Sequence, residues 1–82
     1  MSTYEIPREK FIDLRNLLTS PPYNSVERPI QYGTKFDLAC GVNCNVYYSE
    51  KRTTLKVHIQ NKEADINVAN MLEFSISTME SV

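Results

Sequence analysis

The sequence predicts an α+β fold in which an antiparallel meander of three or four strands carries two helices packed on one face. Three consecutive segments between residues 30 and 60 alternate apolar and polar side chains, which is the period of a strand with one buried face. Two flanking segments repeat apolar residues at helical spacing. Since each helix has one apolar stripe and the sheet has one apolar face, both helices are expected on the same side, leaving the other face open.

The amino-terminal part of the chain is predicted to form a short extended segment and the first helix. Residues 3–6 have the character of a strand, and Pro7 suits the first turn of a helix because its missing N–H would lack a partner there anyway. Residues 8–18 are predicted to form that helix. Its apolar stripe contains Phe11, Leu14 and Leu18.

Two prolines separate the first helix from the meander. Pro21 and Pro22 cannot donate to a helical ladder, and each disfavours the helical conformation in the residue before it. The helix is therefore expected to end before them, and residues 20–29 are predicted to be an irregular connection.

The alternation in the three strands assigns one side of each strand to the core. That apolar side consists of Ile30, Tyr32, Phe36, Leu38, Cys40, Val42, Cys44, Val46, Tyr48, Leu55, Val57 and Ile59. The opposite, open side carries Lys35, Asn45, Tyr47, Lys56, His58 and Gln60. Turns are predicted at residues 41–43 and 49–52. Because successive strand residues point to opposite faces, a register error of one residue would exchange the two sides.

A second amphipathic helix is predicted at residues 62–74. Asn61 is a suitable N-cap, and acidic residues in the first turn suit the helix dipole. Helices and strands together predict one core formed by Phe11, Leu14, Leu18, Phe36, Leu38, Val46, Tyr48, Leu55, Val57, Ile59, Ile66, Ala69 and Leu72.

The composition predicts one small domain spanning residues 1–82, with a formal net charge of −1. Charge is segregated along the chain: residues 27–62 carry six basic and three acidic groups, whereas residues 63–82 carry four acidic groups and no basic one. This balance permits contacts with phosphate without demanding them. No apolar run is long enough for a membrane span and no secretory signal is evident, so we expect a cytoplasmic protein without a membrane role.

The two cysteines, Cys40 and Cys44, flank the first turn of the meander. We interpret them as buried, reduced thiols, with a disulfide or a redox or metal role as alternatives. A structural zinc ion takes about four N or S ligands, which two cysteines and the distant His58 do not supply. No metal or other cofactor is therefore predicted.

The order of elements and several short motifs resemble the amino-terminal domain of ribonuclease HIII, which is built like half of a TATA-box-binding-protein saddle. The motifs are Pro22-Tyr23, Gln31-Tyr32-Gly33, Val46-Tyr47-Tyr48-Ser49 followed by Lys51, and Val57-His58-Ile59-Gln60 followed by Lys62 and Glu63. The resemblance covers about residues 7–74, with Asn61 where the family usually has Gly. It implies a half-saddle fold and a binding or positioning module whose sheet face or rim loops meet nucleic acid. Since no catalytic domain accompanies these residues, it does not imply hydrolysis.

Amides and ammonium groups suit phosphates or base edges, and an aromatic ring suits stacking. The predicted nucleic-acid-binding residues are Lys35, Asn45, Tyr47, Lys51, Arg52, Lys56, His58 and Gln60. The partner would be RNA, DNA or an RNA–DNA hybrid. The simplest alternative is an open face that is merely solvated, since such faces ordinarily carry these residue types.

Two further classes of function are alternatives to nucleic-acid binding. A protein-interaction or assembly subunit could form a homodimer, or pair with another protein, through a sheet edge, because the third meander strand has no proline to block pairing. An enzyme is disfavoured, because His58 has no predicted orienting carboxylate and nucleophile beside it and no other catalytic constellation stands out.

Overall fold

A computed structural model describes residues 2–48 and 53–80, which form a five-stranded antiparallel sheet and two α-helices. The elements are β1 (Ser2–Pro7), α1 (Phe11–Thr19), β2 (Val26–Ile30), β3 (Gly33–Asp37), β4 (Asn43–Tyr48), β5 (Thr54–Gln60) and α2 (Ile66–Ser77). Short 3-10 turns, Arg8–Lys10 and Lys62–Ala64, precede the two helices. The sheet order is β1-β5-β4-β3-β2. The α+β class is confirmed, with five strands rather than three or four.

The edge strand β2 was not predicted. It covers Val26–Ile30 and so overlaps residues 20–29, for which the two prolines indicate an irregular connection. Pro29 lies within it, and a sheet edge tolerates this residue because the missing N–H need not pair. The first predicted strand is consequently two strands, joined by a two-residue turn at Gln31 and Tyr32. The fourth and fifth strands, β4 and β5, follow the prediction closely.

The third meander strand, β5, lies inside the sheet. The amino-terminal strand β1 pairs with its free side over six residues, from Ser2 opposite Ile59 to Pro7 opposite Thr54. The expectation that this strand could serve as an exposed edge is therefore wrong. The two edges of the sheet are β1 and β2.

Both helices contribute to a single core on one face of the sheet. The buried apolar residues are Ile6, Leu14, Leu18, Tyr23, Phe36, Leu38, Val42, Cys44, Val46, Leu55, Val57, Ile59, Ala69, Leu72 and Ile76. On β5 the predicted alternation is confirmed, because Leu55, Val57 and Ile59 are buried while Lys56 and Gln60 are exposed. The Phe11 and Phe36 rings, 6.4 Å apart, join α1 to the sheet.

Three predicted core residues lie at the margin instead. Tyr48 is 51% exposed because it is the last residue of β4 and lies at the end of the sheet. Ile66 is 62% exposed at the first position of α2, and Phe11 is only partly buried at the start of α1. Residues at the ends of elements thus lose the cover that the periodic pattern alone would assign to them.

The second helix begins later than the sequence indicated. Asp65 is its N-cap, with Oδ1 accepting a hydrogen bond from the Val68 N–H at 3.1 Å. Asn61, the predicted cap, has φ 59° and ψ 40°, a left-handed conformation that glycine and asparagine adopt most readily. Its Nδ2 donates to the Gly41 carbonyl at 2.9 Å. Asn61 therefore fastens the end of β5 to the β3–β4 loop instead of starting the helix.

The carboxylate of Glu73 connects α2 to the edge of the sheet. The Tyr4 hydroxyl donates to Glu73 Oε1 at 3.1 Å, and Lys62 Nζ lies 3.5 Å from the same oxygen. This contact lies on the helix-covered side, opposite the open face. Within residues 2–48 and 53–80, no helix has the length and apolar character required to cross a membrane.

Candidate nucleic-acid interface

Six of the eight predicted binding residues come together on the open face of the sheet. Lys35 of β3 lies opposite Asn45 of β4, which lies opposite His58 of β5. In the next row, Tyr47 lies opposite Lys56. Gln60 closes the group at the far end of β5; these six residues alternate along their strands with buried core residues. Lys51 and Arg52, the other two, lie outside the described residues.

An aromatic pair occupies the middle of this face. The ring centroids of Tyr47 and His58 are 5.2 Å apart at an interplanar angle of 82°, an edge-to-face arrangement that such rings favour. Thr3 Oγ1 on β1 lies 3.3 Å from His58 Nδ1. The imidazole is thus contacted from two sides, by the Tyr47 ring and by the Thr3 hydroxyl.

Asn45 is the most buried member of the group, with 7% of its surface exposed. Its Nδ2 lies 3.5 Å from Gln60 Oε1, a long hydrogen bond, and its Oδ1 has no partner among the described residues. A buried amide oxygen that accepts no hydrogen bond costs free energy. Asn45 therefore contacts a ligand directly only when a neighbouring side chain moves aside.

The charges on this face largely compensate one another. Arg28 Nε lies 3.0 Å from one carboxylate oxygen of Asp37, and Lys35 Nζ lies 3.8 Å from the other. Lys56 has no ion pair among the described residues, although the register places Glu5 opposite it. Among the described residues, three cations (Arg28, Lys35 and Lys56) and two anions (Glu5 and Asp37) give this face a net charge of about +1. Long-range attraction of polyanions is correspondingly weak.

Arg28 is the cation that sequence reasoning missed. It lies on β2 opposite Lys35, in a segment predicted to be irregular. No alternation marked this strand, because Val26, Arg28 and Ile30 share one parity but mix apolar with charged side chains, and four of the five residues of β2 are exposed.

Gly33 is required for the close approach of β3 and β4 at the edge of this site. A Cβ at this position would clash with the Val46 carbonyl oxygen, and because that oxygen belongs to the backbone, the strand itself would have to shift. The register partner of Gly33 is Tyr47. β3 therefore places no side chain directly opposite Tyr47, although Gly33 itself is buried and Ile30, its partner on β2, lies in the same row.

The cysteines are free, and Cys44 is buried in the core as expected. Burial raises the pKa of its thiol to about 12. Cys40 is only half-buried. In the part of the chain that the structure describes, no three histidine, cysteine or acidic side chains converge as metal ligands.

No protein-family model, curated protein or solved structure matches this chain. The resemblance to the ribonuclease HIII amino-terminal domain therefore stays a prediction from sequence motifs, and the functional argument depends on the open face itself.

Proposed function

We propose that this chain is a non-catalytic module that binds or positions nucleic acid, preferentially a single strand, on the open face of its sheet. The observation that carries the proposal is the aromatic pair of Tyr47 and His58 at the centre of the sheet face opposite α1 and α2. Stacking on such rings accepts any base, because every base has a π-face. Polar groups on both sides of the pair suit the sugar, the phosphate and the base edges.

The balance of charge favours a single strand over a duplex. A duplex presents phosphates and needs cations, whereas an unpaired strand also offers exposed bases for stacking. Lys56 is the cation best placed for a phosphate, because Lys35 and Arg28 both already form ion pairs with the carboxylate of Asp37. With about one to three phosphates neutralised, the logarithm of the binding constant should fall with the logarithm of salt at a slope of roughly −0.7 to −2 for single strands. Affinity should be on the order of 10 micromolar or weaker at physiological salt.

The resemblance to the ribonuclease HIII domain supports the same function, and RNA–DNA hybrid therefore belongs among the ligands to be tested. The order strand, helix, four strands, helix is compatible with the half-saddle that the resemblance implies. We also propose a cytoplasmic location, because two free cysteines suit a reducing compartment.

A fluorescence anisotropy titration tests the binding proposal. The probes are a labelled single-stranded DNA, the same sequence as RNA, a duplex and a hybrid. Tyr47→Ala should weaken single-strand binding by about 1 to 3 kcal/mol and duplex binding by less. Tyr48→Ala is the matched control, since it removes the same side chain one residue away on the opposite face of β4. Equal affinities for wild type and Tyr47→Ala, or equal losses in both variants, would remove the open face as the site.

A second candidate is an assembly subunit that forms a homodimer through β1. The two edges of the sheet differ. Pro29 lies within β2, whereas the proline of β1, Pro7, is the last residue of that strand. An edge without a blocking residue favours the addition of another strand. Sedimentation velocity at high micromolar concentration should then show a species near twice 9.5 kDa. A monomer at every concentration would exclude this candidate.

A further inference from the structure

An open pocket of about 340 Å³ lies beside the start of α1, and its lining residues are Arg8, Phe11, Glu27, Thr34, Tyr48 and Leu55. The strand residues of this lining point to the helix-covered side of the sheet, since Glu27 is the register partner of Phe36 and Thr34 that of Val46, both of which are core residues. The pocket is therefore separate from the open face.

The apolar part of the lining consists of side chains whose sequence pattern is that of a core. Leu55 is buried, Phe11 is half-buried, and Tyr48 is half-exposed. The Phe11 ring lies 6.4 Å from the Phe36 ring and makes no ring contact with Tyr48 among the described residues. Two of the predicted core residues that lie at the margin thus leave room for a ligand between them.

The charges of the lining favour an anionic ligand. Glu27 Oε1 lies 2.7 Å from Arg15 Nε, so the carboxylate is already compensated within the protein. Arg8 is the cation of the lining, and its N–H donates to the Thr53 carbonyl at 3.3 Å, which places it beside the start of β5. A guanidinium has five N–H donors in a planar fork that matches a carboxylate, so it can bind one while keeping a contact within the protein.

We propose that this pocket binds a small planar aromatic carboxylate, with the ring between Phe11 and Tyr48 over Leu55 and the carboxylate on Arg8. The volume is at the lower end of the range of about 300 to 1,000 Å³ for small-molecule sites, which suits a ligand of one or two rings. An aromatic and apolar lining with few polar groups is also typical of such sites. The proposal goes beyond nucleic-acid binding and does not depend on it.

A ¹H–¹⁵N chemical-shift titration of the full chain with cinnamate tests the proposal. A ligand of this size should bind with a dissociation constant on the order of 1 millimolar or tighter. The amides of Phe11, Thr34 and Leu55 should shift, while those of α2, which lies against β1, should not. Cinnamyl alcohol, which keeps the planar ring and lacks the charge, should bind about 3- to 5-fold more weakly.

Two variants, each with a matched control, separate the contributions of charge and ring. Arg8→Gln should weaken cinnamate binding about 3- to 5-fold and leave cinnamyl alcohol unaffected, whereas Lys10→Gln, in the same 3-10 turn but outside the lining, should bind both normally. Tyr48→Ala should weaken both ligands about 5- to 10-fold, and Tyr47→Ala, on the opposite face of β4, should weaken neither. Thermal melts check that every variant is folded, and Arg8→Gln keeps the test decisive if Tyr48→Ala is unstable.

Several results would overturn the proposal. The pocket is excluded if cinnamate at about tenfold the expected dissociation constant shifts no amide, or shifts only amides far from the lining. Equal affinities for cinnamate and cinnamyl alcohol, or equal losses in Arg8→Gln and Lys10→Gln, would refute recognition of the carboxylate by Arg8. Failure here leaves the open face untouched, because nucleic-acid binding depends on Tyr47 and cinnamate binding on Tyr48.

Discussion

Replacing Val57 by alanine tests the register of β5, on which the position of every open-face residue depends. Val57 is fully buried between Val46 of β4 and Tyr4 of β1. The substitution removes two buried carbons at about 0.8 kcal/mol each, and the cavity left behind raises the expected loss of unfolding free energy to about 2 to 3 kcal/mol. A domain of this size has roughly 4 to 12 kcal/mol in total, so the loss is a large share.

The matched control is Lys56→Ala, one residue away on the exposed side. Its cost should stay within about 0.5 kcal/mol, as for most surface substitutions. Thermal melts followed by circular dichroism should place the Val57→Ala midpoint roughly 10 to 20 °C below wild type and the Lys56→Ala midpoint close to it. The reverse ranking would mean that β5 is shifted by one residue, which would move His58 and Lys56 into the core and remove the proposed site.

Two further predictions concern the buried thiol and the helix cap. In the native protein at pH 8, a thiol reagent should modify the half-buried Cys40 and spare Cys44 until the chain unfolds, because burial protects that thiol and raises its pKa to about 12. Since the unfolded thiol ionises near its ordinary pKa of 9.0 and the folded one does not, this group's contribution to stability is complete below pH 9 and is lost as pH rises toward 12, which pH-dependent urea titrations would detect. Asp65→Ala should lose about 1 kcal/mol in urea titrations through the lost hydrogen bond to the Val68 N–H, whereas Asn67→Ala, exposed in the same turn, should lose little. Equal losses in these two variants would contradict the capping role.

The sequence predicted the open face better than the edges of the sheet. Alternation was informative on β4 and β5 because both are interior strands with one buried side, so each side chain is either in the core or out of it. This is why Tyr47, Lys56 and His58 were assigned correctly to one face. The pairing of β1 with β5 could not be predicted, since nothing in a six-residue strand specifies its neighbour.

The missed features have local physical causes. Pro29 normally argues against a strand, and only its edge position makes β2 compatible with it. The turn at Tyr32 gave no signal because neither of its central residues is glycine, asparagine or aspartate, the residues by which such turns are identified. Asn61 and Asp65 are both good caps by residue type, and the 3-10 turn between them decides which one starts α2. The ion pair between Arg28 and Asp37 depends on β2 and could not be predicted without that strand.

A ¹H–¹⁵N chemical-shift titration of the wild-type protein with a single-stranded oligonucleotide would show directly whether the open face binds nucleic acid. The proposed open-face site predicts that the amides of Tyr47, Lys56 and His58 shift progressively, while the amides of α1 and α2 stay close to their positions in the free protein. Perturbations confined to the two helices, or none at ligand concentrations well above 100 micromolar, would contradict it.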